Sequence, residues 1–415
     1  MNILYVTPLF YPHIGGSEIY TEVVANEMKK KGNKTVIFTS EALDLLTMHL
    51  KKRNVIHKKN NYRRGVPVFY YPLFYFNGID RILYPFRHFL NKERFQRTPI
   101  SDIIGGCIQN PFSPKLCKEL ITYGANFELI HVVNILGSHT FYAYLASKTH
   151  KVPLVITPGF HLHNPAYTQP RFHSVLKNSE ILAHTTIEAT FYRNIGIPAD
   201  RIHKVGFGVD VKKYESGSRK EFREKYNLDE DAFVILFLGR LDPRKGVIHL
   251  YKAVQEAIKS NDNIRLFFVG PKSTSYGTNQ ITKFISSFNK KTSVARYLGI
   301  LSERDKIDAL NGSDVLAMPS IEESLGIVYL EAWAASKPVI GADIPAMREI
   351  INDGSDGFLV KFGNISALKD RILTLTCDKV TYAQMCKNGK RKVTEEYNWS
   401  LIVRKILKIY ENLVK

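Results

Sequence analysis

Short apolar runs alternate with helical patterns along most of the chain. Residues 2–7 predict a buried strand, residues 17–31 an amphipathic helix that ends at Gly32, and residues 35–40 a second strand. Further strands are predicted within the stretches ELIHVV, PLVITP, EILAHTT and RIHKVGFGVD. Because strands that alternate with helices form parallel sheets, we expect an α/β fold.

A polar stretch at residues 211–222, VKKYESGSRKEF, interrupts this rhythm. The rhythm restarts with FVILFLGR, IRLFFVG, DVLAMPS and PVIGAD, again with helical patterns in between. A chain of 415 residues is also too long for one ordinary domain. We therefore predict two Rossmann-like domains, at 1–212 and 213–396.

The last residues predict an amphipathic helix that closes the chain. In NWSLIVRKILKIYENLVK, the side chains of Ile402, Ile406, Ile409 and Leu413 fall on one helical face. We expect residues 397–415 to form a helix that crosses back to the N-terminal domain.

The chain is strongly basic, with a formal net charge of +19 from 58 basic and 39 acidic residues. Such an excess indicates an anionic partner: nucleic acid, a phospholipid surface or phosphorylated small molecules. Residues 51–64 contain seven Lys or Arg and no acid, and the aromatic stretch VFYYPLFYF follows. In residues 77–97, Ile82, Phe86 and Phe89 lie at helical spacing beside several cations, which is typical of a membrane-surface element or of a helix packed in a lid.

Several features typical of other protein classes do not occur in the sequence. There is no apolar run of transmembrane length, and the N-terminus reads as a strand rather than a signal peptide. The four cysteines lack the spacing of zinc ligands, so we expect no metal and a reduced, cytoplasmic protein. GxGxxG and GxxxxGK[ST] are also missing, which argues against nicotinamide and P-loop chemistry.

The stretch PSIEESLGIVYLE places seven residues between Glu323 and Glu331. On a single helix these acids would lie about 12 Å apart along the axis and about 80° apart around it. Paired acids of a glycoside hydrolase lie about 5 Å or about 6.5–9.5 Å apart, so this class is excluded. A better placement ends a strand at MPS, puts Glu323 in the turn and begins a helix near Leu325–Gly326, where free N–H groups meet an anion.

Two further stretches follow predicted strands and suit phosphate groups. Gly15 and Gly16 lie between the first strand and the first helix, where a backbone without Cβ atoms approaches a ligand closely. Arg240 and Lys245, in FLGRLDPRKGV, supply a guanidinium fork and an ammonium group for a diphosphate.

Two other groups of polar residues have weaker interpretations. The D-x-D formed by Asp229 and Asp231 precedes a strand and therefore lies at the wrong edge of the sheet for a catalytic cation. His161 and His163, in VITPGFHLHNP, follow a strand and could position a substrate hydroxyl or donate to an anionic intermediate.

Taken together, GGSE, GFGVD, GRLDPRKG and above all E-x7-E in PSIEESLGIVYLEAWAASKPVI resemble the family 4 retaining glycosyltransferases. The resemblance covers almost the whole chain in order and includes a tryptophan, Trp399, at the start of the last helix. It implies the GT-B fold, with two Rossmann-like domains, an inter-domain cleft and a C-terminal crossover helix. It also implies a nucleotide-sugar donor, no metal and no cofactor.

The resemblance further implies roles for individual residues. Arg240 and Lys245 would hold the diphosphate, Glu323 the sugar hydroxyls and Glu331 the nucleotide ribose. His161 is the natural counterpart of a histidine that many relatives carry where this chain has Gly159, with His163 as the alternative. The implied catalytic residues are His161, Glu323, Arg240 and Lys245. The implied donor-binding residues are Gly15, Gly16, Arg240, Lys245, Leu301, Glu323, Ser324, Leu325, Gly326 and Glu331.

We therefore expect a retaining transferase that moves a hexose from a UDP- or GDP-sugar to a glycan or lipid-linked acceptor in polysaccharide or glycoconjugate biosynthesis. The basic and aromatic N-terminal region suggests peripheral docking on the inner face of an anionic membrane. Two alternatives stay open: another GT-B enzyme, such as a nucleotide-sugar epimerase or a phosphorylase, and a basic nucleic-acid-binding protein. The last is disfavoured, and no nucleic-acid partner is expected, because no recognition motif accompanies the basic segment.

Overall fold

A computed structural model of the chain describes residues 1–13, 15–44, 47, 55–56, 60–74, 99–108, 111–160, 166–272, 281, 283–285 and 294–415. The chain divides into two compact units. The N-terminal unit comprises Met1–Gly206 together with Ile402–Lys415, and the C-terminal unit comprises Phe207–Leu401. The end of the chain therefore belongs to the same unit as its beginning.

The N-terminal unit is built on a sheet whose strands run in the order β3-β4-β2-β1-β5-β6-β7-β8. All neighbours pair in parallel except β3 and β4, which pair antiparallel. The strands are β1 (Asn2–Thr7), β2 (Lys34–Ser40), β3 (Asn60–Arg63), β4 (Val66–Tyr71), β5 (Leu129–Val133), β6 (Leu154–Thr157), β7 (Glu180–Ala183) and β8 (Ile202–Lys204). The helices described in this unit before residue 206 are α1 (Gly16–Lys30), α2 (Pro99–Cys107), α3 (Pro114–Tyr123), α4 (Ser138–His150), α5 (His173–Leu176) and α6 (Thr186–Asn194).

The C-terminal unit contains an all-parallel sheet in the order β11-β10-β9-β12-β13-β14. Its strands are β9 (Phe233–Leu238), β10 (Ile264–Val269), β11 (Ala295–Gly299), β12 (Val315–Met318), β13 (Val339–Ala342) and β14 (Gly357–Val360). The helices described from here on are α7 (Val211–Glu215), α8 (Arg219–Lys225), α9 (Val247–Ala257), α10 (Glu303–Gly312), α11 (Ile327–Ala334), α12 (Pro345–Ile350), α13 (Ile365–Cys377), α14 (Lys379–Glu396) and α15 (Trp399–Leu413).

Within the parallel part of each sheet, the chain order reverses at one pair of neighbouring strands. The reversal lies between β1 and β5 in the N-terminal unit and between β9 and β12 in the C-terminal unit. Central strands such as β5 and β12 are buried along their whole length, as expected when helices cover both faces of a parallel sheet. The loops at the carboxyl ends of such a strand pair are the usual ligand site of a doubly wound sheet.

The strands predicted from apolar runs are confirmed. β1 matches its predicted range, and all the later apolar runs named above contain a strand. β3, β4, β11 and β14 were not predicted, because their sequences carry aromatic, charged or glycine residues in place of a plain apolar run. The proposed membrane-surface segment 77–97 and the lysines at 51, 52, 58 and 59 lie outside the described residues.

The predicted return of the last helix to the N-terminal part of the chain is supported by the buried face of α15. Ile402 and Ile406 are buried as expected, whereas Ile409 and Leu413 are only partly buried. The tyrosine at 410, which the apolar pattern did not include, is fully buried, and its hydroxyl lies 2.5 Å from Nδ1 of His131 on β5. The other ring nitrogen, Nε2, lies 2.8 Å from the hydroxyl of Thr157 on β6.

Among the described helices, none has the length and apolar character needed to cross a membrane.

Candidate functional site

The loops that follow β9 and β12 meet at the point where the C-terminal sheet reverses its chain order. The amide of Ile321 donates to the carbonyl oxygen of Arg244 over 2.9 Å, which joins the two loops directly. Gly246 has φ +75°, and a Cβ atom there would lie 2.4 Å from the carbonyl oxygen of Pro319. A glycine is therefore required where the two loops touch.

Lys245 and Glu323 form the central polar contact of these loops. The Lys245 ammonium group donates to Oε1 of Glu323 over 2.5 Å and to the carbonyl oxygen of Glu322 over 2.7 Å. The side chains of Lys245 and Glu323 are 20% and 11% exposed. Two residues that the sequence placed in separate motifs are thus brought into one partly buried ion pair.

Arg240 and Arg244 differ in how they are held. Arg240 is exposed, and within the described part of the chain it makes no hydrogen bond or ion pair. Arg244, which was not among the predicted site residues, donates to Asp242 over 3.0 Å and lies 3.0 Å from Oε2 of Glu322. Burial raises the pKa of Asp242, but hydrogen bonds from Arg244 outweigh this and hold the pKa below its ordinary value. Arg244 therefore braces the loop, and Arg240 remains available to a ligand.

The predicted arrangement of PSIEESLGIVYLE as strand end, turn and helix start is confirmed. β12 ends at Met318, Glu323 lies in the turn and α11 begins at Ile327 with Gly326 as its N-cap. Gly326 has φ +69°, and a Cβ atom there would lie 2.4 Å from the buried ring of Tyr329. Among the described residues no side chain caps α11, so its first N–H groups and its dipole face the same turn as Glu323.

Glu331 is buried and lies on α11, between one and two helical turns after Gly326. Its Oε1 accepts the hydroxyl of Tyr214 over 2.5 Å and the ammonium group of Lys306 over 2.7 Å. Burial, followed by the charge of Glu331, raises the pKa of Tyr214 well above its usual value, so Tyr214 acts as a donor. Neither Tyr214 nor Lys306 was predicted, because 117 and 25 residues separate them from Glu331 in the sequence.

The resemblance also implies that residues 298–301 contact the nucleotide base, and these residues lie at the end of β11. Leu298 and Gly299 belong to the strand, and Ile300 follows with 76% of its surface exposed. Leu301 is partly buried just before α10, the helix that carries Lys306. The base-contacting role of this segment stays a prediction.

In the N-terminal unit, Gly15 and Gly16 lie at the start of α1 as expected, with Gly15 as the N-cap. A Cβ atom at Gly15 would lie 2.5 Å from the carboxylate oxygen of Glu18, which folds back over this position. Burial raises the pKa of Glu18 to about 7, against hydrogen bonds from the backbone of Glu18 and Gly15. His161 and His163 lie outside the described residues.

The D-x-D acids were expected at the amino edge of the C-terminal sheet, and they are found there. Asp231 precedes β9, and its carboxylate accepts the side-chain amide of Asn263 over 2.6 Å at the start of β10. In the part of the chain that the structure describes, no group of three or more His, Cys, Asp or Glu side chains could hold a metal ion.

Over part of its length, the chain is similar to a glycosyltransferase family model and to proteins that are named as glycosyltransferases. Residues 218–392 match the family model "Glycosyl transferases group 1". Phosphatidyl-myo-inositol mannosyltransferase of Mycobacterium leprae (strain TN) is 33% identical over 181 residues, which are 43% of this chain and 46% of the relative. D-inositol 3-phosphate glycosyltransferase of Rhodococcus erythropolis is 26% identical over 240 residues, or 57% of this chain and 54% of the relative. The chain thus matches about half the length of these two curated relatives.

The likeness to solved structures covers the whole fold. The crystal structure of Anabaena HepE in complex with UDP and glucose matches with a TM-score of 0.74 at 17% identity, over 99% of this chain and 100% of that chain. Neighbours of this kind are GT-B glycosyltransferases, so the predicted GT-B fold is confirmed.

Proposed function

We propose that the protein is a glycosyltransferase that moves a hexose from a UDP- or GDP-sugar to a glycan or lipid-linked acceptor. The observation that carries this proposal is the meeting of Lys245, Glu323 and the N-terminus of α11 at the reversal point of the C-terminal sheet. The match of residues 218–392 to a glycosyltransferase family model supports the same conclusion.

The proposed diphosphate site lies on two loops of the C-terminal unit. Lys245 contacts Glu323 in the turn before α11, and the exposed Arg240 follows β9, the strand beside β12. Cationic side chains and free backbone N–H groups together stabilise a diphosphate, both bound and as a departing group. We further propose that Ser324, Leu325 and Gly326 contribute at this turn, and that Gly15 and Gly16 approach the same ligand.

The sugar and the nucleoside are assigned to the two glutamates. Glu323 lies in the turn, and its contact with Lys245 holds a carboxylate beside the proposed diphosphate site, where it can accept hydroxyl groups of the sugar. Glu331 lies further along α11, and we propose that it accepts the ribose hydroxyls. The presence of UDP and glucose in the HepE crystal structure supports a UDP-sugar as one of the two donor classes.

The acceptor is assigned to the N-terminal unit, with His161 as the proposed catalytic histidine and His163 as its alternative. The names of the mycobacterial and rhodococcal relatives, which refer to inositol-containing acceptors, are compatible with a lipid-linked or glycan acceptor here. The net charge of +19 supports peripheral binding to an anionic membrane. Liposome pelleting tests this: anionic vesicles should bind the protein, and neutralising Lys51, Lys52, Lys58 and Lys59 should release it.

We propose that transfer proceeds with retention of the anomeric configuration and without a metal or other cofactor. Retention rests on the resemblance of E-x7-E and its flanking residues to the retaining family. Independence from metal is favoured by the cations already present at the proposed diphosphate site, which can replace a divalent ion in neutralising charge.

A transfer assay tests the proposal. The protein is incubated with UDP- or GDP-hexoses and lipid or glycan acceptors in the presence of EDTA, and the anomeric proton of the product is followed by NMR. We expect transfer from one nucleotide series, with the donor anomer retained. Product formation that requires an added divalent metal, or inversion of the anomer, would contradict the corresponding part of the proposal. Epimerisation or phosphorolysis of the donor would identify the alternative GT-B activities.

A further inference from the structure

We infer that Tyr214 and Lys306 are positioning residues that hold Glu331 so that one of its oxygens reads the ribose hydroxyls of the donor. This inference rests on the proposed function. It concerns two side chains that lie outside the predicted motifs, on α7 and α10, and that converge on α11.

The geometry fixes a single oxygen of the carboxylate. Both the hydroxyl of Tyr214 and the ammonium group of Lys306 donate to Oε1 of Glu331, over 2.5 and 2.7 Å. Oε2 makes no hydrogen bond or ion pair within the described part of the chain. Two donors on one oxygen define the rotation of the carboxylate and leave the second oxygen as an acceptor for a hydroxyl donor.

The other buried acids of the same unit are satisfied differently. Asp314 accepts Arg219 on Oδ1 and Arg223 on Oδ2, and Asp242 uses both oxygens toward Arg244. Asp308 and Asp356 likewise have a partner on each oxygen. Since buried carboxylates that only stabilise the fold are satisfied on both oxygens here, the single-sided pairing of Glu331 indicates a site kept for a ligand.

Tyr214 and Lys306 are themselves held in place. The Tyr214 backbone carbonyl accepts the side-chain amide of Asn311 over 2.8 Å, and the Lys306 ammonium group lies 5.6 Å from the centre of the Tyr214 ring. Lys306 also offsets the negative charge of Glu331. The carboxylate therefore repels the proposed diphosphate less strongly, and its free oxygen can accept a hydrogen bond from a neutral diol. The pair therefore sets both the orientation and the charge of the ribose-reading group.

The experiment compares ribose with deoxyribose ligands. Tyr214→Phe removes only the hydroxyl, and Lys306→Met removes the charge while keeping most of the stem. Dissociation constants of UDP and GDP, and of their 2′-deoxy and 3′-deoxy counterparts, are measured by calorimetry for the wild type, both variants and Glu331→Gln. Tyr382→Phe is the matched control, because its partly buried hydroxyl donates to the backbone carbonyl of Asp314, away from Glu331.

We expect the wild type to prefer one ribonucleotide over its deoxy counterpart by about tenfold or more, the worth of one charge-assisted hydrogen bond. Both variants should reduce this ratio toward that of Glu331→Gln, with little change in affinity for the deoxy ligand. Tyr382→Phe should keep the wild-type ratio. If Tyr214→Phe does not fold, Lys306→Met gives the same test at a partly exposed position.

The outcomes separate the inference from the proposed function. Equal losses for ribose and deoxyribose ligands, with an unchanged ratio, would mean that the two side chains only stabilise the fold, and would overturn the inference. A wild type that binds UDP or GDP but does not distinguish their deoxy forms would also overturn it, together with the assignment of Glu331 to the ribose, while leaving the proposed transferase activity intact. A wild type that binds neither nucleotide would overturn both.

Discussion

The ammonium group of Lys245 lies 2.5 Å from Oε1 of Glu323, although the two residues follow different strands of the C-terminal sheet. The contact joins the group proposed for the diphosphate to the group proposed for the sugar. In the structure described here, the positive charge of Lys245 is therefore offset by Glu323, and a bound diphosphate would share the lysine with that carboxylate.

This sharing predicts opposite effects of Glu323→Gln on two ligands. Removing the negative charge leaves Lys245 free for a diphosphate, so UDP or GDP should bind as tightly as to the wild type or up to about tenfold more tightly. The corresponding nucleotide-sugar should lose the additional affinity that Glu323 gives, roughly tenfold to a hundredfold for a hydrogen bond to a charged group. Calorimetric titration of both ligands checks this, and weaker binding of the free nucleotide would contradict it.

Lys245→Met is expected to weaken the binding of both the free nucleotide and the nucleotide-sugar, because both ligands contain the diphosphate. The loss should be at least about tenfold, the value of one charge-assisted contact. Lys259→Met is the matched control, since Lys259 forms an exposed ion pair with Glu256 on the same unit and should leave both affinities unchanged. A Lys245 variant that loses only the nucleotide-sugar would show that Lys245 does not contact the diphosphate.

Gly326→Ala, in the turn before α11, should lower the free energy of unfolding more than Gly354→Ala does in its own turn. Both glycines have positive φ, +69° and +76°, so alanine is strained at either position. At Gly326 the added methyl group would also meet the Tyr329 ring, whereas no atom of the residues that the structure describes lies within 4 Å of the Cβ position at Gly354. We expect Gly354→Ala to cost about 1 kcal/mol and Gly326→Ala about 1–3 kcal/mol more, measured by urea unfolding. Equal costs would contradict the steric account.

Tyr410→Phe should destabilise the N-terminal unit without altering its packing. The substitution leaves Nδ1 of the fully buried His131 without its partner, and such a loss costs about 1–3 kcal/mol. Tyr62→Phe, at a side chain that is 71% exposed, should change the free energy of unfolding by less than about 0.5 kcal/mol. If the two variants were equally stable in urea, the Tyr410 hydroxyl would not anchor α15 to the sheet.

Three buried histidines predict that acid destabilises the N-terminal unit. Burial lowers the pKa of His131 to about 3 and the pKa values of His139 and His184 to about 4, from 6.5. As the pH falls, these histidines take up protons in the unfolded chain before they do so in the folded protein. Their contribution to the free energy of unfolding is therefore complete above pH 6.5 and is lost as the pH falls toward 4. Each histidine contributes up to about 1.4 kcal/mol per pH unit in this interval. Glu18, whose raised pKa of about 7 makes the folded state bind a proton first, contributes with the opposite sign, but the three histidines together outweigh this one group.

Spectroscopy can separate this effect from the C-terminal unit, because both tryptophans of the chain, Trp333 and Trp399, belong to that unit. As the pH is lowered from 7.5 to 5, the midpoint of unfolding measured by circular dichroism should begin to decrease at a higher pH than the midpoint measured by tryptophan fluorescence. A circular dichroism midpoint that does not change with pH would contradict the account of the histidines.

Local patterns were sufficient for most of the fold. Apolar runs located the buried strands of both sheets, and the turn between β12 and α11 followed from excluding a single helix that carries both Glu323 and Glu331. Tyr410 was missed because hydropathy does not reveal that a tyrosine hydroxyl has a buried histidine as partner. The strands at 60–63 and 66–71 were missed because basic and aromatic residues mask their alternation.

The site was predictable to the extent that its residues lie near strand ends. Lys245 and Glu323 were expected at the same edge of the sheet, but their direct contact depends on β9 and β12 being neighbours, which no local pattern encodes. Tyr214 and Lys306 approach Glu331 only through the packing of three helices. Arg244 differs from Arg240 because the nearby Asp242 and Glu322 engage its guanidinium group.

The most direct test of the account is a thermal-shift panel of UDP, GDP, ADP and their sugars, measured in EDTA. A ligand at about 100 times its dissociation constant adds roughly 2.7 kcal/mol to the stability of the folded state. We expect one nucleotide series, UDP or GDP, to raise the unfolding temperature without added metal, and Arg240→Ala and Lys245→Ala to reduce the shift. No response to any of these ligands, together with salt-dependent binding to random DNA, would contradict the proposal that the protein is a nucleotide-sugar transferase.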